Sequence, residues 1–522
     1  MRLRTDDKPL LRRTIVKTRL RSKALLKKLS FLLATHNRMR LRTRFAFGLL
    51  IFLISFSVRS LHAVDLAPAM YTNEQPLNSL THTYDLRANG IIAGEGLLGP
   101  YNQSPPHTFW LARAPGYSVL LSIVYATLGR DFFKVQLVQN AVNSLTSVLL
   151  FLIGGELLSW RVGVVAGTLT ALSHNLSHTS NLILPDALSA LPVVAAFYLL
   201  ALAGFRRITA RVYWGCAAGV LIGISSWLRS QIMLLGPFLV VMLTIVSIRR
   251  WTLRHTTLMA AASLLMLTPV TIRNYEVYGE FVPINIGVGE VLWVGIGEAG
   301  GDKYGAASTD AQVAEQEAAL YNNPGYRQSW SYPDGIRRDR DRIKRSIAII
   351  VRHPVWFTGV VFKRMGRMLR YARHGPLINL DGISATSPAN ADGAALKPAW
   401  PGWEDMPVNR SSLAIGESMS RARVLVRVLQ LMVKESVPVF ILIGAAIMFW
   451  ASWRRALLMA AVPLYYLLFQ SPLHTESRYT APMQYFLFLF AAVAWVVMGA
   501  SLWSLFKRIP VARPKGRQAT SR

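Results

Sequence analysis

The chain has 522 residues, 52% of them hydrophobic and only 16% charged, with a mean hydropathy of +0.32. That balance excludes a soluble multidomain enzyme, a disordered chain and a coiled coil, and describes a membrane-embedded protein. Its 58 Lys+Arg against 27 Asp+Glu leave a net charge of +31, which suits it to anionic partners such as phospholipid headgroups and sugar phosphates.

Residues 1–44 are crowded with cations from Arg2 to Arg44 and hold only Asp6 and Asp7 against them. Directly before an apolar run, such a segment is expected to stay cytoplasmic and touch lipid rather than bind nucleic acid. Apolar runs of about twenty residues, enough to cross about 30 Å of hydrocarbon, then recur along the chain. They fall near 45–64, 136–158, 161–180, 187–204, 213–229, 232–248, 256–272, 436–452, 456–471 and 482–505, which gives about ten spans. Phe45–Val64 reads as an uncleaved anchor, although Arg59 interrupts it. An even count returns the carboxyl end to the cytoplasm, and 506–522 carries Lys507, Arg508, Arg513, Lys515, Arg517 and Arg522 without an acid. Gly116–Leu128 is too short to cross and reads as re-entrant or interfacial.

The expected organisation is therefore a basic cytoplasmic segment 1–44, a membrane core 45–272 with a first outer loop 65–135, an outer-face domain 273–435, the last spans in 436–505, and a basic tail 506–522. Cys216, the single cysteine, lies in an apolar stretch, which excludes an internal disulfide framework and a cysteine-based zinc site.

Candidate chemistry gathers at the outer ends of the spans. In the first loop, Tyr84-Asp85-Leu86-Arg87 opens a surface helix expected to end at Gly94–Gly96. Near that helix's positive amino end Asp85 is a candidate base or metal ligand, or else its cap. Asp186, in Leu184-Pro185-Asp186-Ala187, is a second candidate on the same face or an N-cap for the fourth span. His174 and His178 stand one helical turn apart and read as hydrogen-bonded histidines rather than metal ligands. Arg229 and Arg273 follow the outer ends of the fifth and seventh spans, where an arginine either snorkels to the boundary or, converging with others on one cavity, grips phosphate in bidentate fashion. His474-Thr475-Glu476-Ser477-Arg478-Tyr479 places three ionisable groups in a tight turn between apolar helices, a costly arrangement that points to function. The glycines at 287–289 and 295–301 lack the strand and helix context of a nucleotide loop and read as loop.

The order of these features resembles the GT-C superfamily of polyprenyl-phosphate-sugar-dependent glycosyltransferases, particularly bacterial relatives of protein O-mannosyltransferases and the lipid A aminoarabinose transferase. Tyr84 with Ala88, Gly94-Glu95-Gly96, Arg113-Ala114-Pro115-Gly116-Tyr117, Leu184-Pro185-Asp186-Ala187, Thr271-Ile272-Arg273-Asn274-Tyr275, His353-Pro354 with the basic stretch 356–373, and His474-Thr475-Glu476-Ser477-Arg478-Tyr479 with Pro482 are similar to successive elements of that family. The likeness spans Tyr84 to Met498.

It implies an all-α polytopic bundle with a small mixed outer-face domain, set in a bacterial inner membrane with its site on the extracytoplasmic face. A sugar would pass with inversion from a polyprenyl-phosphate donor to a glycan, lipid or protein acceptor. Asp85 would be the base, Asp186 would orient the acceptor or a divalent cation, Arg229, Arg273 and Arg478 would meet phosphate, and Tyr84, Arg113, His474 and Glu476 would shape the pocket. One departure stands out: the family's acid four residues before the tyrosine is Leu80 here, so the base must come from a neighbour such as Asp85 or Glu74 unless activity is lost. A lipid-linked-sugar flippase and an inactive member of the family are the competing readings.

Overall fold

The computed structural model describes residues 39–66, 79–96, 111–205, 211–246, 252–324, 335–369 and 420–506. Among these the chain is helical, with no strand, so the described part of the outer region is all-α where a mixed domain was expected. In chain order the helices are α1 (Leu41–Leu66), α2 (Ser79–Ile92), α3 (Gly116–Leu128), α4 (Phe132–Leu157), α5 (Trp160–Ala171), α6 (His174–Asn181), α7 (Ala190–Phe205), α8 (Arg211–Leu228), α9 (Leu235–Val246), α10 (Leu253–Leu265) and α11 (Thr268–Tyr278). The outer region adds α12 (Val288–Gly300), α13 (Asp310–Leu320), α14 (Gly335–Arg352) and α15 (Pro354–Leu369), and the chain closes with α16 (Ser420–Phe469) and α17 (Ala481–Phe506).

Among the described residues, five helical stretches are long and apolar enough to cross a membrane: Leu41–Val64, Phe132–Leu157, Leu253–Tyr278, Val424–Phe469 and Arg478–Ser504, with a sixth if the bent pair α14–α15 counts as one. These five cover six of the ten expected runs. Val424–Phe469 is 46 residues long, about twice what one crossing needs, and it breaks at Ser452 just before Arg454 and Arg455. The other four runs fall on shorter helices. The run near 161–180 is cut because Ser173 accepts the backbone N–H of Leu176 and so starts α6.

The core joins α4, α5, α7, α16 and α17 through Leu150, Val162, Phe197, Tyr466 and Phe486. Small residues let the backbones touch. A Cβ on Gly163 would lie 2.3 Å from the Phe151 carbonyl oxygen, and one on Gly444 would lie 1.8 Å from that of Phe490. Arg59 is fully buried within α1 and donates to the Thr170 carbonyl and the Tyr485 hydroxyl, both at 3.5 Å, which ties α1 to α5 and α17.

The outer region rests on buried charge. Glu317 on α13 accepts Arg338 at 2.6 Å and pairs with Arg342 at 2.8 Å, both from α14. Asp339 accepts the backbone N–H groups of Gly289 and Glu290 at 3.0 and 3.3 Å and so satisfies the start of α12. Of the glycines expected to form a loop, Gly289, Gly295, Gly297 and Gly300 are instead helical, and Gly287 and Gly301 flank the helix. Their lack of side chains is what α12 needs, since a Cβ on Gly289 would meet the Asp339 carbonyl at 2.0 Å and one on Gly297 the Ala307 carbonyl at 2.2 Å.

Candidate functional site

Asp85 is not at the amino end of its helix. α2 begins at Ser79, six residues earlier, and places Asp85 in mid-helix, 2% exposed. Its Oδ1 accepts the Tyr125 hydroxyl at 2.8 Å and Arg130 Nε at 3.1 Å, and its Oδ2 accepts an Arg130 terminal nitrogen at 2.7 Å and Asn89 at 3.3 Å. A carboxylate offers about four lone-pair sites, and here all are taken. The group joins α2 to α3 and to the turn after it.

Asp186 likewise does not cap the helix that follows, because α7 starts at Ala190. It sits in a pinned loop. Gln136 donates to the Asn181 carbonyl at 2.8 Å, Gln139 to those of Ser180 and Leu182 at 3.0 and 2.9 Å, and Thr81 to that of Ile183 at 3.3 Å. Gln139 also accepts the Tyr117 hydroxyl at 2.6 Å. Gln139→Leu, which strips partners from three buried polar groups, is expected to cost about 1–3 kcal/mol, read as a lower unfolding midpoint in detergent.

The pinned loop holds the Asp186 carboxylate, 2% exposed, against Arg229, whose guanidinium bonds Oδ1 and lies 4.4 Å over the Tyr479 ring. Tyr479 donates to Glu476 at 3.0 Å, and Glu476 also accepts Arg478 at 2.8 Å. His474 stands 2.8 Å from Glu298 of α12 and 3.8 Å from Glu476. Arg364 of α15 donates to the Pro472 carbonyl at 3.1 Å and to the carbonyl of Gly295. Asp186, Arg229, Tyr479, Arg478, Glu476, His474 and Glu298 thus form one continuous lattice drawn from four distant segments.

Glu298 and then Glu476 hold the His474 imidazolium up to about 9. Burial works against Glu476, but His474, Arg478 and Tyr479 outweigh it and hold the carboxyl down to about 2. The histidine's contribution to stability is complete below its ordinary 6.5 and lost as pH rises through 9. The glutamate's is complete above its ordinary 4.5 and lost as pH falls through 2. The unfolding midpoint is therefore expected to fall on the alkaline side from neutrality towards pH 9, and His474→Gln should flatten that limb; an unchanged limb in the variant would show the charge lies elsewhere.

A second cluster is basic. Arg87 of α2, 2% exposed, donates to the Arg113 carbonyl at 2.9 Å. Burial pulls its guanidinium down to about 10; Tyr84 opposes this, while Arg113 and Arg273 are close enough to repel it. Arg273 also lies 5.6 Å over the Tyr278 ring. Tyr84 packs edge-on against Tyr117 at 5.1 Å and is within electrostatic reach of both Arg87 and Arg229, so it stands between the two clusters.

Arg130, Tyr125 and Glu298 were not singled out from the sequence, and Arg87 and Tyr479 stood in its motifs without a role. Tyr479 and Arg87 adjoin residues already singled out, whereas nothing local marks Glu298 as the partner of a histidine far along the chain. Leu80 falls in the first turn of α2, and Glu74 lies outside the described residues. His174 and His178 of α6 are joined by His62 of α1, with ring centroids 5.2 and 5.7 Å from His62. Among the described residues no group of three or more His, Cys, Asp or Glu side chains could hold a metal ion.

Solved structures similar to the chain include the apo oligosaccharyltransferase of Archaeoglobus fulgidus, with TM-score 0.48 and 15% identity over 90% of this chain and 52% of that one. The same organism's oligosaccharyltransferase AglB, in complex with an inhibitory peptide and a dolichol-phosphate, matches with TM-score 0.45 and 14% identity over 90% of this chain and 52% of that one. ArnT from Cupriavidus metallidurans bound to undecaprenyl phosphate matches with TM-score 0.32 and 13% identity over 89% of this chain and 81% of that one. The chain spans about half the length of the archaeal enzyme. No curated protein matches it by sequence. Residues 112–272 match the family model for dolichyl-phosphate-mannose-protein mannosyltransferase, so over that stretch this multi-pass membrane protein is similar to glycosyltransferases of the GT-C kind.

Proposed function

We propose that the chain is an integral membrane glycosyltransferase that moves a sugar from a polyprenyl-phosphate donor to an acceptor hydroxyl or amine, with inversion at the anomeric carbon. The observation that carries this reading is the hydrogen bond from Arg87 to the Arg113 carbonyl, with Arg273 and Tyr84 in electrostatic range of Arg87 and Tyr84 also in range of Arg229, the partner of Asp186. Arg113 and Arg273 both act on Arg87 electrostatically, and Arg is built to take phosphate in bidentate geometry. The family match over 112–272 supports a lipid-phosphate sugar as that anion's source.

In this reading Arg113 and Arg273 receive the donor phosphate and stabilise it as it departs, and Arg87 holds the Arg113 backbone in place. Arg229 and Arg478, expected at the phosphate, are engaged with Asp186 and Glu476 and serve instead to orient carboxylates. Asp186 replaces Asp85 as the base. Arg229 occupies its Oδ1, leaving Oδ2 to take the acceptor's proton as the acceptor attacks the anomeric carbon. His474 and Glu476 shape the acceptor side. The site faces the extracytoplasmic side of a bacterial inner membrane, with 1–44 and 506–522 in the cytoplasm, a membrane core 45–272, an outer region 273–435 and the last spans in 436–505.

The test supplies purified protein with a radiolabelled polyprenyl-phosphate sugar and a crude cell-envelope acceptor fraction. Label passing to the acceptor, and lost in Arg113→Gln and Arg273→Gln, is the expected result. Intact donor crossing vesicle bilayers without cleavage would instead make the chain a flippase.

A further inference from the structure

The corner between α14 and α15 sorts its side chains by face. In the first half of α14, Arg337 and Arg340 are exposed, but Arg338 and Arg342 turn inward to Glu317, Asp339 to the start of α12, and Asp341 accepts the Tyr321 hydroxyl at 2.9 Å. From 343 to 369 there is no acid at all. Apolar side chains in this stretch lie open: Val351 is 71% exposed, Val355 86% and Phe362 66%. Arg352, Lys363 and Arg367 are exposed in the same stretch.

The two helices meet at 106°, so they do not run on as one straight rod through a bilayer. Their opposite face is docked. Phe357 is buried in the outer cluster with Trp293, Trp356 packs on Tyr304 at 4.4 Å, and Arg364 reaches the carbonyls of Gly295 and Pro472. The exposed apolar face is therefore held in a set orientation. Exposed aliphatic and aromatic groups interleaved with cations and free of acids are the pattern of a helix lying in a membrane interface. An acid-free, basic rim complements phospholipid phosphates, and a protein that spans the bilayer has that surface beside it.

We infer that the α14–α15 elbow lies in the interface of the protein's own membrane, with Val351, Val355 and Phe362 at the acyl boundary and Arg352, Lys363 and Arg367 against anionic phospholipid headgroups. The inference concerns lipid contact and is independent of the transfer reaction, so its test does not read activity. The full-length Cys216→Ala protein carrying Val355→Cys is labelled with a fluorophore and placed in nanodiscs with or without phosphatidylglycerol. A control carries Glu315→Cys on the exposed face of α13.

The expected result is that a headgroup-proximal nitroxide lipid quenches the label at 355 several-fold more than at 315, while aqueous iodide shows the reverse. Phosphatidylglycerol should strengthen the lipid quenching at 355, and R352Q/K363Q/R367Q should remove that gain. Iodide reaching 355 as readily as 315 would overturn the proposal. So would exclusion of both quenchers, which would mean a protein or a second copy covers the face. Lipid quenching indifferent to anionic lipid would overturn the assigned role of the three cations.

Discussion

Asp186→Asn is expected to lower sugar transfer by about 10²- to 10⁴-fold, the range over which a positioned general base acts. The amide still accepts from Arg229 but no longer takes a proton. Because Arg229 is left without its counter-charge in a site 20% open on its side and 2% on the other, the variant should also lose about 2–3 kcal/mol, less than a fully enclosed pair. Pairing it with Arg229→Gln separates the two effects. The double variant should recover much of the stability, read as an unfolding midpoint, while transfer stays lost. Near-normal turnover by Asp186→Asn in membranes would remove Asp186 from the role of base.

Asp85→Ala should do the opposite. It removes the acceptor of four donors at once, at a cost of about 3 kcal/mol, moderated because Arg130 is 32% exposed. Transfer per folded molecule should change little. If the variant kept its midpoint but lost turnover, Asp85 would be the base, and the gap left by Leu80 would be filled from one turn further along the same helix.

The two acids show how far local sequence could be read. Both were expected in outer segments near helix starts, because an acid before an apolar run is the ordinary cap signal. Asp85 proved internal to α2, since helical residues continue back to Ser79, and Asp186 stands in a turn before α7. The span count shows the same limit. Apolar length identifies what can cross, yet the break at Ser452 and the fresh helix start at Ser173 turn similar runs into a kinked pair and a short helix. The glycines of α12 point the other way: composition alone assigns them to loop, and only the closeness of Asp339 and Ala307 makes glycine the residue a helix needs there.

Composition and the spacing of apolar runs by themselves determined that this chain is a helical membrane protein with acids and arginines clustered outside its spans, because the cost of burying charge in hydrocarbon is written into every stretch of about twenty residues. Which donors reach which acid was decided only by the fold. Arg130 reaches Asp85, and Glu298 reaches His474, across separations in sequence that no local pattern encodes, and a carboxylate's chemistry depends on the donors that packing brings to it.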